Sequence, residues 1–150
     1  MSTFKQIVEH EVFPALGCTE PISCAFAAAA AAEQLGATVE RIELSVAPGT
    51  FKNGAAVPIP NSRGRKGNLI AAAMGALIAR PALKLEILKE VTPQILEQAQ
   101  GLLDRGAVTY HCREDEKGFY IEVTVEGGGS RARCVVIGGH TMIALQEKDG

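Results

Sequence analysis

Apolar residues recur along this chain with two different periods, and the change from one to the other divides it. From Thr3 to about Phe13, Phe4, Ile7, Val8 and Val12 follow helical spacing, and Ser2 or Thr3 is available as N-cap, which predicts a first helix. Gly17 to Pro21 interrupts it. Ile22 to Leu35 then predicts a second helix, with Pro21 in its first turn, Thr19 as N-cap and Gly36 ending it. Alanine on every face leaves this helix little bulk, so the pattern places it centrally, packed closely on other elements. Arg41 to Pro48 alternates instead, with Ile42, Leu44 and Val46 on one side, and predicts a strand. The stretch from Gly49 to Gly67 is rich in glycine, proline and asparagine and reads as a long functional loop. Helical spacing resumes over Asn68 to Ala79, breaks at Pro81, returns briefly over Leu83 to Lys89, and starts again at Thr92-Pro93 to run to about Gly106.

Beyond Gly106 the period is two. Strands are predicted over Val108 to Cys112, Phe119 to Val125, Arg131 to Ile137 and Thr141 to Gln146, with hairpin turns at Glu114 to Gly118 and Gly127 to Ser130. The expected architecture is α+β: alanine-rich helices packed with an antiparallel meander in the C-terminal third, all in one domain over residues 1–150.

Composition narrows the partners. The 150 residues are 47% hydrophobic, enough for one buried core. A net charge of -2 and a pI of 5.9 provide no basic field for nucleic acid or an anionic membrane, so neither partner is expected. The longest apolar run, Ala25 to Ala32, is too short to span a bilayer, and no secretion signal opens the sequence; a cytoplasmic location is expected. Four irregularly spaced cysteines, Cys18, Cys24, Cys112 and Cys134, then argue for reduced thiols.

Cys18 stands out chemically. Next to a helix start it would feel unpaired amide hydrogens and the positive end of the helix dipole, both favouring thiolate; the alternative is a structural cysteine at a kink. Glu20 is either a proton-transfer or ammonium-binding carboxylate or a simple complement to the dipole. Cys24, six residues on, falls on another helical face and reads as core packing. Ser62-Arg63-Gly64-Arg65-Lys66-Gly67-Asn68 has the makings of an anion cradle, with glycines, three cations and a following helix start, although a solvated basic loop fits the same spacing. It lacks the nucleotide P-loop spacing. Lys52 and Asn53, beside Gly54, are ligand contacts or part of a β-turn. His140 and Thr141 follow Gly138-Gly139 and are candidates to face a cleft. A His/Cys metal site drawn from His111, Cys112, Cys134 and His140 has no paired-cysteine spacing behind it.

Several motifs occur in a fixed order: Leu16-Gly17-Cys18-Thr19-Glu20-Pro21 before an alanine-rich helix, Phe51-Lys52-Asn53-Gly54, Ile59-Pro60 before a Gly-Lys-Gly helix start, Val91-Thr92-Pro93, and His140-Thr141. With them the chain resembles the amino-terminal part of the L-cysteine desulfidase family, relatives of the iron–sulfur L-serine dehydratase α chain. That resemblance implies an oxygen-sensitive 4Fe-4S cluster, no pyridoxal phosphate, and β-elimination from L-cysteine to sulfide, ammonia and pyruvate. It implies that Cys18 is a cluster ligand or the thiolate base. Thr19 and Glu20 would orient the amino acid, and Lys52, Asn53 and the Gly64, Lys66, Gly67, Asn68 helix start would hold its carboxylate. His140 and Thr141 would line the same pocket.

Members of that family are several hundred residues long and carry their other cluster cysteines in a carboxyl-terminal part that does not match this chain. The resemblance therefore implies a fragment of a longer enzyme, or a subunit whose partner supplies the missing ligands, with no complete cluster held by this chain alone. The alternative function is a non-catalytic amino-acid-binding or regulatory module that lacks the cluster. Oligomeric state is not encoded in the pattern, and a homo-oligomer is open.

Overall fold

The computed structural model describes residues 19–54, 59, 62–116, 118–138 and 142–149, without the side chains of residues 19, 20, 52–54 and 85. The helix expected over residues 3–13 lies outside the described residues.

The alanine-rich helix, α1 (Thr19–Leu35), starts two residues earlier than Pro21. Thr19 is therefore its first residue and not its N-cap, and Pro21 sits in the first turn, where its missing amide hydrogen would have no intrahelical partner. Its residues from Cys24 to Ala31 are at most 3% exposed, so α1 is buried on every face, as its alanine content requires. Strand β1 (Arg41–Val46) follows, with Ile42, Leu44 and Val46 inward. The supposed long loop opens as a short helix, α2 (Pro48–Gly54), and ends at α3 (Asn68–Ile78). Phe51-Lys52-Asn53-Gly54 is thus helical and not a β-turn, because Pro48 presets the dihedral of a first turn.

The short helix expected over Leu83 to Lys89 is a 3₁₀ segment, Pro81–Glu90, broken at Lys84, whose φ is 51°. Its buried Ile87 and Leu88 belong to the same core as α1, which explains why so weak a helix keeps its place. Helix α4 (Pro93–Asp104) starts as its sequence predicts: Thr92 Oγ1 accepts a hydrogen bond from Ile95 N at 3.1 Å and Pro93 is the first residue.

Strands β2 (Val108–Cys112), β3 (Tyr120–Gly127), β4 (Ser130–Ile137) and β5 (Ile143–Lys148) complete one sheet with β1, in the order β2-β1-β3-β4-β5. The fold is α+β, as expected, but the meander covers β3 to β5 only. β1 lies between β2 and β3, parallel to the first (Ile42 opposite Val108) and antiparallel to the second (Leu44 opposite Val123). Glu114 to Gly118 is consequently not a hairpin turn, since β2 and β3 do not pair. The expected turn after Gly127 is one: Gly128 and Gly129 have φ of 61° and 79°, the two left-handed positions of a two-residue hairpin.

Both long central helices cover the same face. α1 lies on β3, β4 and β5, and Gln146 Nε2 of β5 donates to Ala30 O at 3.1 Å. α3 packs along α1 and against β1 and β2, and α4 packs on α3. α1 and α3 meet closely at Gly75, where a Cβ would stand 2.5 Å from Ala25 Cα and 2.6 Å from Ala25 C. Backbone-to-backbone proximity of this kind needs glycine on one helix and a small residue on the other. Among the described residues, no helix is long and apolar enough to cross a membrane.

Candidate functional site

The segment before α3 is held by its own polar groups. Ser62 Oγ donates to Ile59 O at 2.6 Å, Arg65 N donates to Ser62 O at 3.3 Å, and Arg63 and Gly64 take left-handed dihedrals to close the turn. Arg65 is spent on structure: its Nη1 donates to Ser62 O at 2.9 Å and its Nε to Gln100 Oε1 of α4 at 2.8 Å. Of the three cations expected to form a cradle, Arg63 and Lys66 are the exposed ones.

At the end of this turn Gly67 is the N-cap of α3 and, lacking a side chain, supplies no capping hydrogen bond to the first turn. The next residue, Asn68, is 1% exposed. Its Nδ2 donates to Tyr110 Oη at 2.7 Å and to Thr50 O at 3.2 Å, which ties α3 at once to β2 and α2. Both amide hydrogens are committed. Oδ1 is buried with no hydrogen-bond partner among the described residues, so the side chain's remaining capacity is that of an acceptor.

Tyr110 completes the junction. Its ring stacks on Phe51 at a centroid distance of 4.4 Å and an interplanar angle of 18°, and its hydroxyl points at Phe51 O, 3.5 Å away. Burial pushes the phenol up to about 12; the hydrogen bond from Asn68 acts the other way, and the Cys24 and Cys112 thiols add to the rise. The hydroxyl is protonated at neutral pH and serves as donor and acceptor. The arrangement is a polar seam between α2, the N-terminus of α3 and β2. Positive helix-end potential and a lone buried acceptor lie there side by side.

Of the residues proposed from sequence, Gly67 and Asn68 are in this seam. Lys52 and Asn53 lie on α2 directly after Thr50 and Phe51, which contact it, so the second motif and the helix-start motif are brought together. Gly64 and Lys66 stay on the exposed side of the turn. Thr19 and Glu20 form the first two residues of α1, one turn before Cys24. Cys18, His140 and Thr141 lie outside the described residues. Tyr110 and Thr50 were missed by sequence reasoning. Tyr110 sits among alternating strand residues where an inward tyrosine resembles any core aromatic, and Thr50 acts through its carbonyl, which leaves no sequence signal.

The cysteines are separated by the sheet. Cys134 is fully buried on β4, its thiol pushed up to about 12 by burial, which makes it a poor ligand and nucleophile. Cys112 lies three strands away, about 14 Å at the usual strand spacing. Cys112 and Cys134 therefore cannot share a metal ion, and His140, the other member of the His/Cys site considered from sequence, lies outside the described residues. Cys24 is core packing, as expected. No disulfide joins Cys24, Cys112 and Cys134, and among the described residues no three His, Cys, Asp or Glu side chains cluster. These residues do not fit a 4Fe-4S cluster, which needs four thiolates or their equivalents in one place.

An α+β layer with a polar seam at a helix start defines a class of architecture, and comparison with known proteins adds relatives. No protein-family model matches the chain, and no solved structure matches it. It is similar throughout to proteins named UPF0597. It is 53% identical over 150 residues to one from Geobacter sulfurreducens, a match covering 100% of this chain and 35% of that protein. One from Elusimicrobium minutum is 45% identical over 150 residues, covering 100% and 36%. A third, from Bacteroides fragilis, is 42% identical over 144 residues, covering 95% and 33%. The chain spans about a third of the length of the curated relatives it matches. Their shared name states no activity.

Proposed function

We propose that this chain is one α+β domain of a longer iron–sulfur-dependent L-cysteine desulfidase, and that it supplies part of the amino-acid site. The ordered set of motifs from Cys18 to Thr141 supports the family reading. The observation that carries the site is Asn68, which binds the α2 motif and Tyr110 together beside an uncapped helix start. In this reading the carboxylate of L-cysteine lies against the first-turn amides of α3 and Lys52, where the helix dipole favours an anion. Asn68 Oδ1, an acceptor, takes the ammonium and not the carboxylate. Glu20 and Thr19 orient the amino acid from the start of α1. Because the described cysteines do not converge, the ligands of an iron–sulfur cluster would come mainly from residues beyond this chain, with Cys18 either one of them or the thiolate base, and the chain's own part is to bind and orient.

The test is anaerobic reconstitution of the full-length Geobacter sulfurreducens relative with iron and sulfide, followed by assay of pyruvate and sulfide from L-cysteine and from L-serine. Production of both from L-cysteine, lost when the residue matching Cys18 is changed to serine, supports the reading. A cluster spectrum with no turnover of either amino acid refutes it. Saturable binding of L-cysteine without turnover assigns the chain to an amino-acid-binding or regulatory module instead.

A further inference from the structure

The sheet has a second face. Helices α1 and α3 cover one side, and on the other Glu122 sits at the centre of a closed charge network: its oxygens pair with Arg113 at 2.9 Å and Arg133 at 3.0 Å, it accepts from Tyr120 Oη at 2.8 Å, and Arg133 pairs onward with Glu147 at 3.0 Å. That half of the face pairs its charges with one another. Toward the β4–β5 end it turns apolar. Tyr120 pairs across strands with Ile137, and Val135 with Leu145, while Tyr120, Val135 and Ala47 form a small buried cluster of their own. The large apolar side chains exposed among the described residues are all here: Ile137 at 46%, Met142 at 63%, Ile143 at 41% and Leu145 at 37%.

Among the described residues β5 is also an edge strand, paired with β4 alone, and it carries apolar side chains along an open edge. Free-standing proteins blunt such edges with charge, proline or a covering element; β5 carries charge only at its far end, Glu147 and Lys148, and among the described residues Ile143 and Leu145 stay exposed. The relatives are about three times as long as the matched region, so they contain chain enough to cover it.

We propose that the β5 edge and the adjoining apolar strip are the docking surface for the part of the full-length protein that this chain does not span. Its contact segment is apolar and extended, matching a face that presents aliphatic side chains and an open strand edge. The charged half, already neutralised by Glu122 and the arginines, forms the polar rim. This proposal is independent of the desulfidase reading and concerns assembly alone.

Thiol labelling tests it. Leu145→Cys is made in this 150-residue chain and at the matching position of the full-length Geobacter sulfurreducens relative, and maleimide labelling of each is compared with the same protein in urea, after subtracting the parent's own cysteines. Labelling slower by at least about tenfold in the folded full-length protein, with rapid labelling of the shorter chain, is the expected result. Met142→Cys gives a second probe should the first variant misfold. Equal rates in the two proteins overturn the proposal. So does sedimentation showing that the shorter chain is a dimer which already protects the probe, since the occupant is then a second copy.

Discussion

Gly75→Ala and Gly101→Ala are the same substitution and should have opposite signs. In an isolated helix either change gains about 1 kcal/mol, because alanine lowers the backbone entropy lost on folding. At Gly101, in α4, nothing lies within 4 Å of the added methyl, and that gain should appear in full or nearly so. At Gly75 the methyl would stand 2.5 Å from Ala25 Cα and 2.6 Å from Ala25 C, where carbon atoms need about 3.5 Å. The obstruction is backbone, so no rotamer change relieves it. α1 and α3 must move apart by about 1 Å, which forfeits a quarter to a half of each contact's dispersion energy along the seam. Overpacking of this kind costs ~3 kcal/mol, leaving a net loss of ~2 kcal/mol after the propensity gain. Thermal unfolding followed by circular dichroism should show Gly75→Ala melting about 4–8 °C below the parent and Gly101→Ala at or above it. A Gly75→Ala protein as stable as the parent would refute the packing of α1 on α3 described above.

Other expectations follow from single contacts. Tyr110→Phe removes the acceptor of Asn68 Nδ2 and leaves a buried donor unpaired, which should cost ~1–3 kcal/mol in urea unfolding. Thr92→Ala should cost about 1 kcal/mol by the same assay, because Thr92 Oγ1 caps α4. Alkali should destabilise the fold: the Cys134 thiol rises from 9.0 to about 12 on folding and the Tyr110 and Tyr120 phenols from 10.0 to about 12, so above pH 9 the unfolded chain releases protons that the native one retains. Stability is therefore unaffected by these groups below pH 9 and declines as pH rises toward 12, Cys134 alone contributing about 1.4 kcal/mol per pH unit; Cys134→Ala should remove the earliest part of that decline in a pH series of urea midpoints.

Most elements could be read from local pattern because local chemistry sets them. Thr92-Pro93 starts a helix wherever it occurs before apolar residues at helical spacing, and Gly128-Gly129 turns a hairpin because both positions need positive φ. The alanines of α1 already require close neighbours on every side. Two misreadings were local, Thr19 as N-cap and Phe51–Gly54 as a turn, and the failure in topology was non-local. β1 alternates like any strand, and nothing in Arg41–Val46 says that it will be flanked on both edges; that depends on β2 arriving parallel after the α2–α4 crossover, many residues later.

The candidate site divides in the same way. Sequence by itself determined the α+β class, the buried character of α1, and the motifs around Cys18, Lys52 and Asn68, since residue type and spacing are local properties. Only the tertiary structure decided that Arg65 holds α4 and not a ligand, that Tyr110 joins Asn68, and that Cys112 and Cys134 are kept apart by two intervening strands. It also decided that one face of the sheet ends in exposed aliphatic side chains. Such facts come from pairings between distant segments, and a pairing is a property of two segments that neither carries alone.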